Sequence, residues 1–363
     1  MTESPAQPLP RLSRNVVVLS WVSFFQDAAS EMLYPVLPLF LTGVLGASPA
    51  AVGLIEGVAE GLSSILKGIS GRLADNRPRR PLIALGYGLS SVAKGLIAIA
   101  TGWPFVLFSR ALDRVGKGIR TSPRDALIAS DTPPEMRGRA FGFHRAFDTA
   151  GAVVGPLLGL ALYEALHHRL RPLFVLAVIP ALMSTALIGL VRENPRSEKA
   201  TTKLPDVAPL PASYWRVMIF LTIFALVNFS DALIILRMKQ LGFGFVAVMV
   251  AYALYNVSYA LLSYPAGALS DYIPKPVVFA AGLAFFAIAY IGFGLIRSTA
   301  WIWPLLLIYG AYTAFTDGVG KAWMSQTVSR EIVGKALGYF QGMLRSENDS
   351  CKILTDVAGE CWA

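Results

Sequence analysis

A series of apolar runs, each about 20 residues long, fills most of this chain and limits what it can fold into. A helix of that length spans a bilayer hydrocarbon core of roughly 30 Å. Within lipid, every backbone N–H and C=O group needs an internal partner, which a helix supplies. A membrane β-barrel would instead show alternating segments of about 10 residues, and these runs do not alternate. The sequence therefore predicts an all-α polytopic membrane protein.

The overall composition agrees with this prediction. Only 15% of the 363 residues are charged, whereas soluble proteins average about 25%. The mean hydropathy is +0.55. The predicted spans cover residues 15–45, 50–71, 82–101, 103–127, 139–166, 172–191, 215–236, 245–268, 277–296 and 302–327.

The formal net charge is +9, and the excess of positive charge is concentrated in alternate loops. The basic set is Arg11, Arg14, Arg72, Arg77, Arg79, Arg80, Arg120, Arg124, Arg137, Arg139, Arg192, Arg196, Lys199, Lys203, Lys275, Arg330 and Lys335. Cytoplasmic loops of membrane proteins are enriched in Lys and Arg. We therefore expect a cytoplasmic N-terminus, and the positive charge does not indicate a nucleic-acid partner.

The sequence lacks the usual signals of an enzyme or a metal site. It shows no Gly-rich phosphate loop, no His–Glu metal motif and no nucleophile elbow. Its two cysteines, Cys351 and Cys361, both lie near the end of the chain and suggest no disulfide framework. We expect no enzymatic activity, no metal and no cofactor.

Two loop motifs recur at the same spacing, which indicates an internal repeat. Gly71-Arg-Leu-Ala-Asp75 matches Gly267-Ala-Leu-Ser-Asp271, and Gly138-Arg-Ala-Phe-Gly142 matches Gly334-Lys-Ala-Leu-Gly338. Both pairs are 196 positions apart, from 71 to 267 and from 138 to 334. This spacing predicts a duplicated six-helix unit, with the two halves in the same orientation.

The second copy of the repeat is predicted to be incomplete. After Gly342 the sequence turns polar, so an eleventh helix begins and stops and a twelfth is missing. This gives about ten complete spans. The predicted organisation is an N-terminal bundle at 1–191, a cytoplasmic linker at 192–214, an incomplete C-terminal bundle at 215–342 and an aberrant polar tail at 343–363.

Three motifs resemble those of the major facilitator superfamily of secondary transporters. The loop from Gly71 through Asp75 to Arg79 and Arg80, with its weaker copy at Gly267 and Asp271, resembles the signature between helices 2 and 3. Helix 4 carries Arg110-Ala-Leu-Asp113-Arg114-Val-Gly116-Lys-Gly118, similar to a motif of proton-coupled members, with Arg114 in place of a glycine. Helix 5 carries Gly151, Gly155, Pro156 and Gly159 in a pattern similar to that of exporters, with Leu160 where a further glycine is common.

The resemblance implies two six-helix repeats, no cofactor, and a helix 2–3 loop that braces the cytoplasmic gate against helix 11. It also implies a small-molecule substrate and proton coupling within a lipid bilayer of the bacterial inner-membrane type. Many members act as monomers, and we expect the same of this chain. From the residues alone, Asp75 lies just past helix 2 and could accept from the N-terminal N–H groups of the next helix or pair with Arg79 or Arg80.

Several ionisable residues fall at membrane depth, where an unpaired charge costs at least about 2.5–3.5 kcal/mol. They are Asp27, Glu31, Glu56, Glu60, Arg110, Asp113, Arg114, Asp148 and Asp231, together with His144, Arg145, Asp317 and Lys321. Helical spacing allows the pairs Arg110–Asp113, Arg145–Asp148 and Asp317–Lys321, which serve structure or function equally well. The other acidic residues in helices 1 and 2 lack a same-helix cation at that spacing and are the better proton-carrier candidates.

These observations lead to a hypothesis of proton-coupled export by alternating access. Asp27 and Glu31 would carry the proton, and Arg110 would modulate it. Two alternatives stay open, namely uptake by proton symport and a membrane fragment that does not transport. Tyr252, Tyr255, Asn256 and Tyr259 share one face of helix 8, where they suit either an amphipathic ligand or packing.

Overall fold

The structure is a computed structural model and describes residues 11–34, 36–37, 40–193, 209–227, 234, 238, 241–296 and 298–343. Asp231, most of the predicted linker and nearly all of the predicted polar tail lie outside these residues. All regular structure in the described part of the chain is helical, as the sequence predicts.

The long helices, in chain order, are α1 (Arg14–Leu33), α2 (Pro49–Asn76), α3 (Arg79–Ala98), α4 (Trp103–Ser130), α5 (Arg137–Ala165), α6 (Leu170–Leu187), α7 (Ala212–Val227), α8 (Phe245–Tyr272), α9 (Lys275–Leu295), α10 (Ile302–Gln326) and α11 (333–343). A π-helical turn, Phe40–Val44, follows α1. Each predicted span overlaps one of the first ten helices, although the first, 15–45, covers both α1 and the π-helical turn, and the seventh, 215–236, extends beyond α7 into residues outside the described part of the chain.

Local sequence explains where some of these helices begin. The Ser13 side chain accepts from Val16 N at 3.3 Å, and the Ser48 side chain accepts from Ala51 N at 3.2 Å. A serine that precedes a helix satisfies an N–H group that has no partner within the helix. Gly102 and Gly244 occupy the equivalent position before α4 and α8.

Helix α4 differs from the prediction in what it contains. Arg120 and Arg124 were counted among the basic loop residues, although the predicted span 103–127 also contains them; α4 continues to Ser130 and buries both side chains. Their assignment to a cytoplasmic loop was therefore wrong. Among the described residues, five helical segments are long and apolar enough to cross a membrane by length and composition, at Arg14–Leu33, Arg79–Ala98, Pro134–Ala165, Leu170–Leu190 and Lys275–Leu295.

The helices form two groups, α1–α6 and α7–α11. In the first group α1 packs against α5 and α6, while α4 packs against α2 and α3. In the second group α10 packs against α8 and α9. Between the groups, α5 packs extensively against α8, α2 packs closely against α11, and α10 also touches α5.

The groups meet at one end of the bundle. One apolar cluster there combines side chains of both groups, including Leu19, Tyr87, Phe279 and Leu337. The other two clusters each draw on one group, around Phe174 in the first and Tyr309 in the second. The joined end carries the turns α2–α3, α4–α5 and α8–α9 and the start of α11, and we call it the basic end.

Candidate functional site

Two ion pairs link α2 to α4, one helical turn apart. Arg110 Nη2 lies 2.7 and 2.9 Å from the two carboxylate oxygens of Glu56. Arg114 Nη2 lies 3.0 Å from Glu60 Oε1. Both glutamates have a cationic partner on the neighbouring helix. They are therefore less suited to carry a proton than the absence of a cation on their own helix had indicated.

Asp113 is buried on the other side of Arg110 and makes a different contact. Its carboxylate accepts from Lys94 Nζ of α3 at 3.2 Å, while Arg110 Nη1 is 3.9 Å away. The predicted Arg110–Asp113 pair is therefore present, but the shorter bond joins α3 to α4. This geometry favours a structural role for Asp113.

Asp27 and Glu31 lie one turn apart on α1 and differ from the other acidic side chains at this depth. Neither forms a hydrogen bond or an ion pair with any residue that the structure describes. Oε2 of Glu31 is buried without a hydrogen-bond partner. Among the described residues, these two carboxyl groups of α1 therefore lie outside the ion pairs that hold the other acidic side chains at this depth.

The glycines of α5 place α1 beside them. A Cβ atom added at Gly155 would lie 2.6 Å from the Ala28 carbonyl oxygen and 2.8 Å from Glu31 Cβ. One added at Gly151 would lie 3.2 Å from Asp27 Cβ, and one at Gly159 would lie 3.0 Å from the Met32 carbonyl oxygen. The predicted helix 5 motif is therefore the surface against which the two carboxyl groups of α1 are held.

This contact gives a first testable prediction. Gly155→Ala should destabilise the protein by about 1–3 kcal/mol, because the added methyl group cannot fit without moving α1. Gly88→Ala on α3 is the matched control, since an added Cβ there has no neighbour within 4 Å. Thermal unfolding in detergent compares the two variants, and equal unfolding midpoints would contradict the tight α1–α5 contact.

Arg145 of α5 connects the two groups of helices. Its Nη1 is 2.7 Å from Asp148 Oδ2, which confirms the predicted pair. Its Nη2 is 2.5 Å from Asp317 Oδ2 on α10. The Tyr259 hydroxyl of α8 donates to the same Asp317 oxygen at 2.6 Å, and Arg145 contacts that hydroxyl as well.

Asp125 forms a second connection, which the sequence reasoning missed. This fully buried α4 side chain forms an ion pair with Lys321 Nζ of α10 at 3.2 Å and accepts a hydrogen bond from Gln341 Nε2 of α11 at 2.9 Å. Arg124 Nε donates to its other oxygen at 2.8 Å. Lys321 Nζ is also 4.0 Å from Asp317, so the predicted α10 pair exists within a larger cluster.

At the basic end, each repeat motif caps a helix of the other group. Asp75 of α2 accepts from the backbone N–H groups of Gly334 and Lys335, at 2.7 and 2.6 Å. Asp271 of α8 accepts from those of Gly138 and Arg139, at 2.8 and 2.9 Å. Each carboxylate thus satisfies two N–H groups that have no intrahelical partner at the start of a helix.

The expectation that Asp75 accepts from the next helix was wrong. The start of α3 is capped by Glu193, whose two oxygens accept from Arg79 N and Arg80 N at 2.8 Å each. Asp75 does lie 3.9 Å from Arg79 Nη2, as expected. Glu193, from the segment after α6, thus caps α3, and Asp75 caps α11.

The α4–α5 turn is fixed at the same end. Asn15 donates to Asp131 and to the carbonyl oxygen of Arg192, and its own side-chain oxygen accepts from Arg192 N at 2.9 Å. Partial burial raises the pKa of Asp131, and the hydrogen bond from Asn15 opposes that rise. These bonds tie the start of α1 to the end of the first group of helices.

The predicted aromatic face of α8 is mostly used for packing. The Tyr255 ring centroid lies 5.2 Å from that of Tyr309 and 6.1 Å from that of Tyr259. Asn256 donates to the carbonyl oxygen of Tyr252 at 2.9 Å, within its own helix. The geometry favours the packing alternative for Asn256 and Tyr259.

Comparison with known proteins agrees with this arrangement of helices and motifs. The sequence pattern of the Major Facilitator Superfamily matches residues 19–346. The chain belongs to the major facilitator superfamily. It is 35% identical over 337 residues to an uncharacterized transporter of this superfamily from Methanocaldococcus jannaschii, covering 91% of this chain and 84% of that protein.

More distant superfamily members are also similar. The quinolone resistance protein NorA of Staphylococcus aureus is 24% identical over 245 residues, covering 68% of this chain and 59% of NorA. The crystal structure of the human organic anion transporter MFSD10 matches with a TM-score of 0.77 at 17% identity, covering 96% and 93% of the two chains. That of FucP in the outward conformation matches with a TM-score of 0.67 at 15% identity, covering 95% and 91%.

The superfamily assignment makes the chain an integral membrane transporter rather than an enzyme. It also explains why so many charges are tolerated within the bundle. Ion pairs across helices hold several of them, and among the described residues Asp27 and Glu31 of α1 lie outside these pairs. In a membrane transporter, such ionisable groups are candidates for the solute or proton path.

Proposed function

We propose that this transporter exports a small organic solute in exchange for protons. The observation that supports this is the placement of Asp27 and Glu31, the proposed proton carriers. Both lie at membrane depth, outside the ion pairs formed by the described residues. Because neither carboxyl group pairs with a side chain of the described residues, a cationic group of the solute could take the place of a proton there. Proton release can therefore be linked to solute binding.

The direction of transport is proposed from the α5 motif and from one relative. The α5 glycines resemble those of exporters and lie directly against Asp27 and Glu31. NorA, by its name, confers quinolone resistance. These points support outward movement of the solute over uptake by symport.

The orientation follows from the distribution of basic residues. The basic end should face the cytoplasm together with the N-terminus, in a plasma membrane of the bacterial inner-membrane type. The bundle is then closed toward the cytoplasm, and transport requires this end to open. We propose that the halves 1–191 and 215–342 rock against each other about the linker 192–214, within a monomer.

Asp27→Asn tests the coupling directly. Asparagine keeps the shape of the side chain but cannot exchange a proton, so the proton-driven flux should fall to that of protein-free vesicles. The measurement uses proteoliposomes with an acidic lumen and external ethidium, a permanent cation that a pH gradient alone does not trap. Antiport accumulates ethidium in the lumen as protons leave.

The control is Glu164→Gln, which removes an exposed carboxylate at the far end of α5, where its ion-pair partner among the described residues is His168. This variant should transport like the parent chain. Accumulation with an alkaline lumen instead would indicate symport. An unchanged flux in Asp27→Asn would remove that residue from the coupling step.

A further inference from the structure

A groove on the outside of the bundle is not explained by transport. It has a volume of about 370 Å³ and lies between α2, α7 and α11, near the basic end. Its walls include Ile65, Trp215 and Met343, whose exposed fractions are 65%, 42% and 47%. In a membrane transporter, exposed apolar side chains of this kind face lipid.

The floor of the groove has room for a flexible chain. Gly68 lines it, and a Cβ atom added there would have only Tyr339 Cδ1 within 4 Å, at 3.9 Å. Gly338 and Gly342 line it as well. Without side chains at these positions, the groove stays open between the two walls.

A cation lies at the mouth of the groove. Arg72 follows Gly68 by one helical turn toward the basic end, and its guanidinium is exposed. Arg72 Nε donates to the Tyr339 hydroxyl at 2.6 Å, and the guanidinium carbon lies 5.0 Å from the centre of that ring. No carboxylate of the described residues is within ion-pair distance of it. The aromatic ring therefore fixes a positive charge that still lacks a negative partner.

We propose that this groove binds one anionic phospholipid, with an acyl chain between the walls and the headgroup phosphate on Arg72. Guanidinium groups bind phosphate through several hydrogen bonds, and tryptophan is common at the level of lipid headgroups. Because α2 belongs to one half and α7 and α11 to the other, the complete groove exists only while the basic end is closed. The bound lipid therefore favours that conformation.

The test uses quenching of Trp215 fluorescence by lipids with brominated acyl chains. The full chain is reconstituted in phosphatidylcholine that contains a small fraction of brominated phosphatidylglycerol or of brominated phosphatidylcholine. The chain has 7 tryptophans, so the Trp215 signal is taken as the difference from a Trp215→Phe variant. Brominated phosphatidylglycerol should quench it more strongly than the same fraction of brominated phosphatidylcholine.

Two variants assign the site. Arg72→Gln should weaken the apparent affinity for the anionic lipid roughly fivefold, the effect of one basic residue near a membrane surface. Arg77→Gln, which removes an exposed charge from the adjoining turn, should leave it unchanged. Gly68→Leu should abolish the selective quenching by filling the groove.

Three outcomes would overturn the proposal. Equal quenching by the two lipids would mean that no headgroup is selected. Unchanged quenching in Arg72→Gln would remove the phosphate contact. An equal loss in Arg77→Gln would indicate general attraction to the basic surface. Thermal unfolding of each variant confirms that it remains folded.

Discussion

Asp125→Asn should lower the free energy of unfolding by about 3–5 kcal/mol, the cost of breaking a buried ion pair by removing one partner. Asp125 is fully buried, accepts hydrogen bonds from Arg124 and Gln341, and forms an ion pair with Lys321. Asparagine has nearly the same shape but no charge. Arg124 and Lys321 would then remain buried with less negative charge to offset the cost of removing them from water.

The ion pair with Lys321 also joins the two halves, so the variant should open the basic end more often. Ser270→Cys offers a readout, because Ser270 is buried where α8 packs against Gly138 of α5. In a chain with Cys351→Ser and Cys361→Ser, this thiol reacts with a maleimide only when the halves separate. Asp125→Asn should raise its rate of labelling.

A double-mutant cycle distinguishes the pair from general damage. Lys321→Gln removes the other charge. In the double variant, two neutral amide side chains replace the ion pair. If Asp125 and Lys321 stabilise the protein as a pair, the double variant should lose about 0.5–3 kcal/mol less than the two single losses combined. Simple additivity would show that the pair carries no coupling energy.

The sequence predicted the helices well because their signal is local. An apolar run of sufficient length identifies a span without any knowledge of its neighbours, and each of the ten predicted spans overlaps a helix. The assignment of Arg120 and Arg124 to a loop failed, since a charged stretch at the end of a span looks like a loop whether or not another helix covers it.

Ion pairs between helices could not be predicted in this way. Glu56 and Glu60 were judged by the cations of their own helix, but their partners are on α4. Which helices are neighbours is decided by packing, which a single sequence does not reveal. The unpaired state of Asp27 and Glu31 likewise depends on which helix faces α1.

The repeat contained a signal for Asp125 that the motif comparison did not use. Positions 125 and 321 are separated by the same 196 residues as the loop motifs, and so are Arg145 and Gln341. The duplicated positions carry different side chains, aspartate against lysine and arginine against glutamine. Two equivalent positions near the axis between similar halves approach each other, so their opposite charges indicate a pair.

Removing the helix cap at Asp75 is the second change for which we expect a large effect on the closed conformation. Asp75→Ala removes a carboxylate from two N–H groups at the start of α11 and should cost about 2 kcal/mol, the upper part of the range for a lost N-cap. The cap exists only when α2 and α11 are together. The whole cost therefore falls on the closed state, and the ratio of closed to open molecules should drop about 30-fold.

The Ser270→Cys thiol tests this prediction at a distance. It lies at the α5–α8 contact, whereas Asp75 acts at the contact of α2 with α11, where an added Cβ at Gly71 would be 2.8 Å from Gly338 Cα. If the two halves move as rigid bodies, losing the cap on one side should speed labelling on the other. Labelling that stays slow in Asp75→Ala would mean that the two contacts open separately.

Glu193→Ala is the control that makes this result specific. It also removes a carboxylate that caps two N–H groups, but Glu193 directly follows the first half, in the linker, and the helix it caps, α3, belongs to that half, so no contact between the halves is lost. This variant should lower the unfolding midpoint as Asp75→Ala does and leave the labelling rate of the thiol unchanged. Faster labelling in both variants would mean that the thiol reports loss of stability rather than separation of the halves, and the cap at Asp75 would then have no special part in closing the basic end.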